Sequence, residues 1–178
     1  MARQRVEKER GQQRSDLSGE HPLGDTGQVV LACLFFAAWV ADTLVLRYTT
    51  WLNHCVPLAI RVPFGVVLLV VSGYLATMGL SIVFGEKREE PGVISKNVFG
   101  IIRHPIYLSE IVLYLGLLVI SLSLAAAAVW GTAILFLHHI SRYEERLLLA
   151  RFGEEYAQYM REVPMWVPRL RKKMWPKS

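Results

Sequence analysis

At 178 residues and 20.2 kDa, with 53% hydrophobic residues and a mean hydropathy of +0.31, the chain has the size of one domain and is too apolar for an ordinary water-soluble one. Its formal net charge of +5 sits at the ends and in one central loop, which argues against a nucleic-acid surface and for contact with anionic lipid. Two cysteines, Cys33 in an apolar run and Cys55 in a short loop, lack the spacing of metal ligands, so neither a disulfide framework nor a metal site is expected.

Residues 1–27 are polar and mixed in charge, without the apolar core of a secretion signal, and are expected to form a cytosolic N-terminal segment. Gln28 to Leu46 approaches the roughly 20 apolar residues that carry a helix across about 30 Å of hydrocarbon, and makes the first span. Asp42 lies near its far end beside Arg47, Tyr48 and Trp51, where an interfacial carboxylate is expected. A short surface turn with Asn53, His54 and Pro57 leads into the second span, Val62 to Phe84, whose Ser72, Gly73, Ala76 and Gly79 suit close helix approach. Residues 28–84 thus form an N-terminal hairpin.

Residues 85–178 form the second half. A charged loop runs to Phe99-Gly-Ile-Ile-Arg103-His104-Pro105-Ile-Tyr107, where a basic corner meets a long apolar run. Proline disfavours helix in the residue before it and suits the first helical turn, so His104 ends the loop and Pro105 opens a helix whose N-terminus favours an anion. Tyr107 to His139 holds no Lys or Arg and a single acid, Glu110, and reads as a tight hairpin turning near Ser121-Leu-Ser123. Its second arm is expected to continue past the membrane through Arg142, Glu144, Glu145 and Arg146 to Phe152, with Gly153 as the stop. His138 and His139 point apart on that arm and read as interfacial. Glu154 to Val163 carries Tyr156, Tyr159, Met160 and Val163 at helical spacing, as an interfacial helix would, and the basic tail from Arg169 onward suits anionic headgroups.

The expected architecture is an all-α integral membrane protein with about four transmembrane helices, room for a fifth, a C-terminal hairpin and an interfacial C-terminal helix. All but Arg47 and Arg61 of the 20 lysines and arginines fall on one side of such a four-span chain, so both termini and the central loop are expected in the cytoplasm. The Arg103 corner and the Glu144-Glu145 pair then emerge on the same face. Glu144 and Glu145 lie about 100° apart on a helix, so one is expected to face the corner while the other pairs with Arg142 or Arg146.

The run Val93-Ile-Ser-Lys-Asn-Val-Phe99-Gly-Ile-Ile-Arg103-His104-Pro105-Ile-Tyr107, a hairpin, Glu144-Glu145 and then Phe152-Gly153-Glu-Glu-Tyr156-Ala-Gln-Tyr159 resembles the isoprenylcysteine carboxyl methyltransferase family, over roughly the C-terminal half. Ser109 and Ile140 depart from that pattern, standing where glycine and a nearby arginine are often found. The resemblance implies an integral membrane enzyme that transfers a methyl group from S-adenosyl-L-methionine, leaving S-adenosyl-L-homocysteine, to a lipophilic or lipidated acceptor such as an isoprenylcysteine carboxylate. By position it implies that Val93, Ile94, Phe99, His104, Pro105, Ile106, Tyr107 and Leu108 line the cofactor and that Glu144 and Glu145 hold its polar end. Arg103 and Arg142 are the candidate catalytic residues, as orienting groups for cofactor or acceptor. A phospholipid N-methyltransferase, a membrane sterol reductase and a non-enzymatic scaffold or transporter are the alternatives. The membrane and its lipids, not nucleic acid, are the expected partners.

Overall fold

The computed structural model describes residues 24–85 and 92–168, and within them the chain is an all-α membrane protein without a β-strand. The polar N-terminal segment up to residue 23, the charged part of the central loop at residues 86–91, and the basic tail from residue 169 lie outside the described residues. Helix α1 (Gly24–Val40) continues as a π-helical turn, Ala41–Leu46, and ends at Arg47, which has a left-handed φ of 56°. A 3-10 turn, Trp51–His54, leads to α2 (Leu58–Gly85), and a second, Asn97–Gly100, leads to α3 (Pro105–Ser121). Helix α4 (Leu124–Phe152) and the short α5 (Glu154–Glu162) complete the order.

Three stretches, Thr26–Leu46, Leu58–Phe84 and Leu124–Phe152, have the length and apolarity to cross a membrane. The expected third span is α3, whose 17 residues rise only about 25 Å, so it falls short of a full crossing on its own. The corner behaves as proline chemistry requires, with His104 as the N-cap and Pro105 opening α3. The expected turn is present too: Leu122 adopts a left-handed φ of 50°, and Ser123 caps α4 by accepting from the Ala126 N–H at 3.1 Å. Gly153, with φ of 56°, stops α4 and redirects the chain into α5.

Lipid is as apolar as leucine, so helices here associate through close approach and interhelical hydrogen bonds. Helices α2 and α3 do both. A Cβ on Gly65 would stand 2.8 Å from the Gly116 carbonyl, one on Gly116 would stand 3.1 Å from the Gly65 carbonyl, and Gly79 meets Ile106. Between these crossings the buried Ser72 hydroxyl donates to the Ser109 carbonyl at 2.7 Å. Gly73, expected at the same seam, has nothing within 4 Å. Helix α1 packs against α4 and α3: Phe35 stacks on Tyr114 at 4.2 Å, and Trp39 Nε1 donates to Leu117 O and Ser121 Oγ.

At the hairpin tip, Asp42 is not the water-facing carboxylate expected from its neighbours; it is 4% exposed. It accepts from the Thr49 N–H at 3.0 Å and from the hydroxyls of Thr49 and Ser123. Close by, a cavity of about 220 Å³ has an almost wholly apolar lining that includes Leu115, Leu118, Leu122 and Trp130.

Candidate functional site

Counting about 1.5 Å per residue from Leu124, Glu144 lies roughly 30 Å along α4, one hydrocarbon thickness from the hairpin tip. The N-terminus of α3 returns to the same end. There the two halves of the expected constellation meet. Arg103 donates from Nε to Glu145 Oε1 at 2.7 Å, and its Nη2 stands 2.7 Å from the same oxygen. Its Nη1 donates to the carbonyl of Met160 at 2.9 Å and to that of Val163. The His104 ring stands between the two glutamates, with Nε2 3.3 Å from Glu145 Oε1 and Nδ1 3.7 Å from Glu144 Oε2. Tyr107, its ring parallel to that of His104, donates its hydroxyl to Glu144 Oε1.

Both glutamates therefore turn to the corner, against the expectation that only one would. The imidazole spans the angle between them, and the side chain of Arg142, 59% exposed, reaches only to 3.7 Å from Glu145 Oε2. Arg103, by contrast, is 9% exposed and its guanidinium donors are spent on the protein itself, which makes it a clamp. Val93 packs with Tyr156, Tyr159 and Val163, while Ile94 packs against Ile82, Val98 and Phe99. Pro105 is buried, Ile106 fills the space beside Gly79, and Leu108 is half-buried with its N–H on the His104 carbonyl at 3.0 Å.

The clamp depends on the segment after α5 folding back. Arg103 N–H donates to Pro164 O at 2.9 Å and His104 N–H to Met165 O at 3.2 Å. Tyr159 hydroxyl donates to Phe99 O at 2.6 Å. The apolar face of α5, expected on lipid, is thus taken up by the chain itself: Tyr156 and Tyr159 are buried against Leu148, Phe152 and Val93. Burial raises both phenols. Burial also lowers the His104 imidazole, an effect that the Glu145 hydrogen bond opposes and the Arg103 charge reinforces.

One feature of the site was not read from the sequence. Glu145 is 2% exposed, yet its Oε2 accepts no hydrogen bond. Ser141 Oγ, 0% exposed, and Trp166 Nε1 are likewise buried without a partner. The position of Ser141, four residues before Glu145, was the available signal, since that spacing shares a helix face. His138 packs its ring edge-on to Trp166 at 5.5 Å rather than facing an interface alone.

Residues 28–163 match the family described as "Protein of unknown function (DUF1295)". An 84-residue stretch is 32% identical to the cobalt-zinc-cadmium resistance protein CzcN of Cupriavidus metallidurans, covering 47% of this chain and 38% of that protein. The match therefore spans little more than a third of that relative's length. No solved structure matches. The resemblance to the isoprenylcysteine carboxyl methyltransferases is corrected by these findings, because the family match lies elsewhere and short shared motifs at a membrane surface do not define a family. Among the described residues, no group of three or more His, Cys, Asp or Glu side chains is placed to hold a metal ion.

Proposed function

The chain belongs to the DUF1295 family, and from the geometry of its buried carboxylate we propose that it is a membrane methyltransferase that uses S-adenosylmethionine and acts on a lipophilic acceptor. The observation that carries this reading is the buried Glu145 carboxylate, held by Arg103 through one oxygen while the other accepts no hydrogen bond and has only Arg142 at 3.7 Å, at the end of two membrane helices. A carboxylate so placed suits a cationic small molecule arriving from water, and the apolar helices beside it suit an acceptor arriving from lipid.

The residues fit such a donor. Glu145 Oε2 and Glu144 would hold its cationic groups, and Tyr107 with His104 would fix the Glu144 carboxylate in place. S-adenosylmethionine bound there would supply a methyl group on a sulfonium, which the acceptor's lone pair would take while the C–S bonding pair stayed with sulfur in the departing thioether. The protein's part is positioning and exclusion of water, so no general base is required for an acceptor that is already ionised. Arg103 is a positioning residue. Arg142, exposed beside Glu145, is the candidate anchor for an anionic acceptor group.

The distribution of lysine and arginine supports a site on the cytoplasmic face, with both termini on that side. Cys55, exposed in the loop between α1 and α2, then reacts with an impermeant maleimide from outside intact cells only. The activity test is transfer of labelled methyl from S-adenosylmethionine to membrane lipids by the purified protein, with carboxylate-bearing and ethanolamine lipids as separate arms. Label in the lipid phase that depends on Glu145 is expected. No label in either arm, together with no measurable affinity for S-adenosylhomocysteine, overturns the reading.

A further inference from the structure

The geometry points to a subsite for an α-amino-acid end group, built by Ser141, Glu145 and Trp166 on one side of α4. It rests on the methyl-donor reading and names how that donor is gripped. Ser141 and Glu145 stand four residues apart, and His138 lies three before Ser141, so all three share one helix face. The segment after α5 lies along that face: Trp166 packs on His138, and the carbonyl of the preceding Met165 accepts from the His104 N–H.

Three polar atoms there are buried without a hydrogen bond, Glu145 Oε2 having only the exposed Arg142 guanidinium at 3.7 Å, and their chemistries differ. Glu145 Oε2 can only accept, Trp166 Nε1 can only donate, and Ser141 Oγ can do either. Burying such groups unmet is unfavourable, and native proteins hold few of them. Ser141 is 0% exposed and Glu145 2% exposed, so bulk water does not relieve them. The ligand that complements the set carries several N–H donors for Glu145 and Ser141 and, beside them, an anionic oxygen for the indole N–H. An ammonium next to a carboxylate, the end of an amino acid, has that pattern. Arg103 and His104 already occupy Glu145 Oε1, which leaves Oε2 as the acceptor turned to the ligand.

The test uses the full chain in detergent and calorimetry with two ligands, S-adenosylhomocysteine and 5′-methylthioadenosine, which keeps the adenosyl thioether but lacks the amino-acid end. Ser141→Ala and Trp166→Phe are each expected to weaken S-adenosylhomocysteine about five- to tenfold while leaving 5′-methylthioadenosine unchanged. Ser141→Ala is also expected to melt no lower than wild type without ligand, which a purely structural serine would not allow. Wild-type affinity of both variants for S-adenosylhomocysteine overturns the subsite alone and would mean that ordered water meets these atoms; equal loss of both ligands also overturns it. Failure of the wild-type protein to bind either compound overturns the methyl-donor reading and the subsite with it.

Discussion

At the hairpin tip, both oxygens of the buried Asp42 carboxylate are met, one by the Thr49 N–H and the other by two hydroxyls, and the Thr49 hydroxyl in turn accepts from the Ala125 N–H at 3.0 Å. At the opposite end of the same helices, Glu145 is at least as buried, but one oxygen is bonded and the other is not. The first cluster ties the loop after α1 to the start of α4 and has nothing left to offer a ligand. The second keeps buried acceptors and a donor in reserve. The exceptions at the tip, Thr43 Oγ1 and Arg61 Nε, sit on different elements and belong to no common group. A buried carboxylate is thus read as structural or functional by whether its neighbours complete it.

Substitutions can break this contrast. Glu145→Ala should have the largest effect, about 3–5 kcal/mol of lost stability, because Arg103 stays buried at 9% exposure with its ion partner gone. Donor binding should vanish with it, and unchanged melting would show that Arg103 finds another partner. Asp42→Ala should cost about 2–3 kcal/mol by stranding Thr49 and Ser123, while leaving affinity for S-adenosylhomocysteine as in wild type. A fall in affinity would join the two ends and dissolve the comparison.

A graded effect should follow from pH. The buried His104 titrates below its ordinary value of 6.5, so on acidification the unfolded chain takes up its proton first. Stability is full above about pH 6.5 and falls as pH drops from there toward the folded value, and His104→Gln should flatten that limb in thermal melts. The smallest expected change has the opposite sign. Ser141→Ala should stabilise the ligand-free protein by about 1 kcal/mol, since it removes a buried hydroxyl that has no partner.

Much of the fold was legible because its signals are local. Pro105 opens α3, the Ser121-Leu-Ser123 turn reverses the chain, and Gly153 ends α4, each through its own backbone or capping chemistry. The pairing of Glu144 and Glu145 with the corner was legible only in part: the helix angle separates them, and nothing near them in sequence reveals a histidine ring wide enough to touch both. Asp42 was misplaced for a related reason. Its neighbours suggested water, whereas one of its hydroxyl partners, Ser123, arrives from the far side of two helices. Arg103 looked like a reagent, yet its acceptors at Met160 and Val163 come from a segment whose return no hydrophobic period announces.

That return bears on how the molecule is made. Every acceptor the Arg103 side chain uses, at Glu145, Met160 and Val163, is synthesised after it, so a nascent chain that has delivered only α1 to α3 into the bilayer carries this guanidinium unclaimed. The corner closes last, once α5 and the residues just beyond it have left the ribosome, and a chain cut short before Val163 would insert its helices yet never assemble its centre.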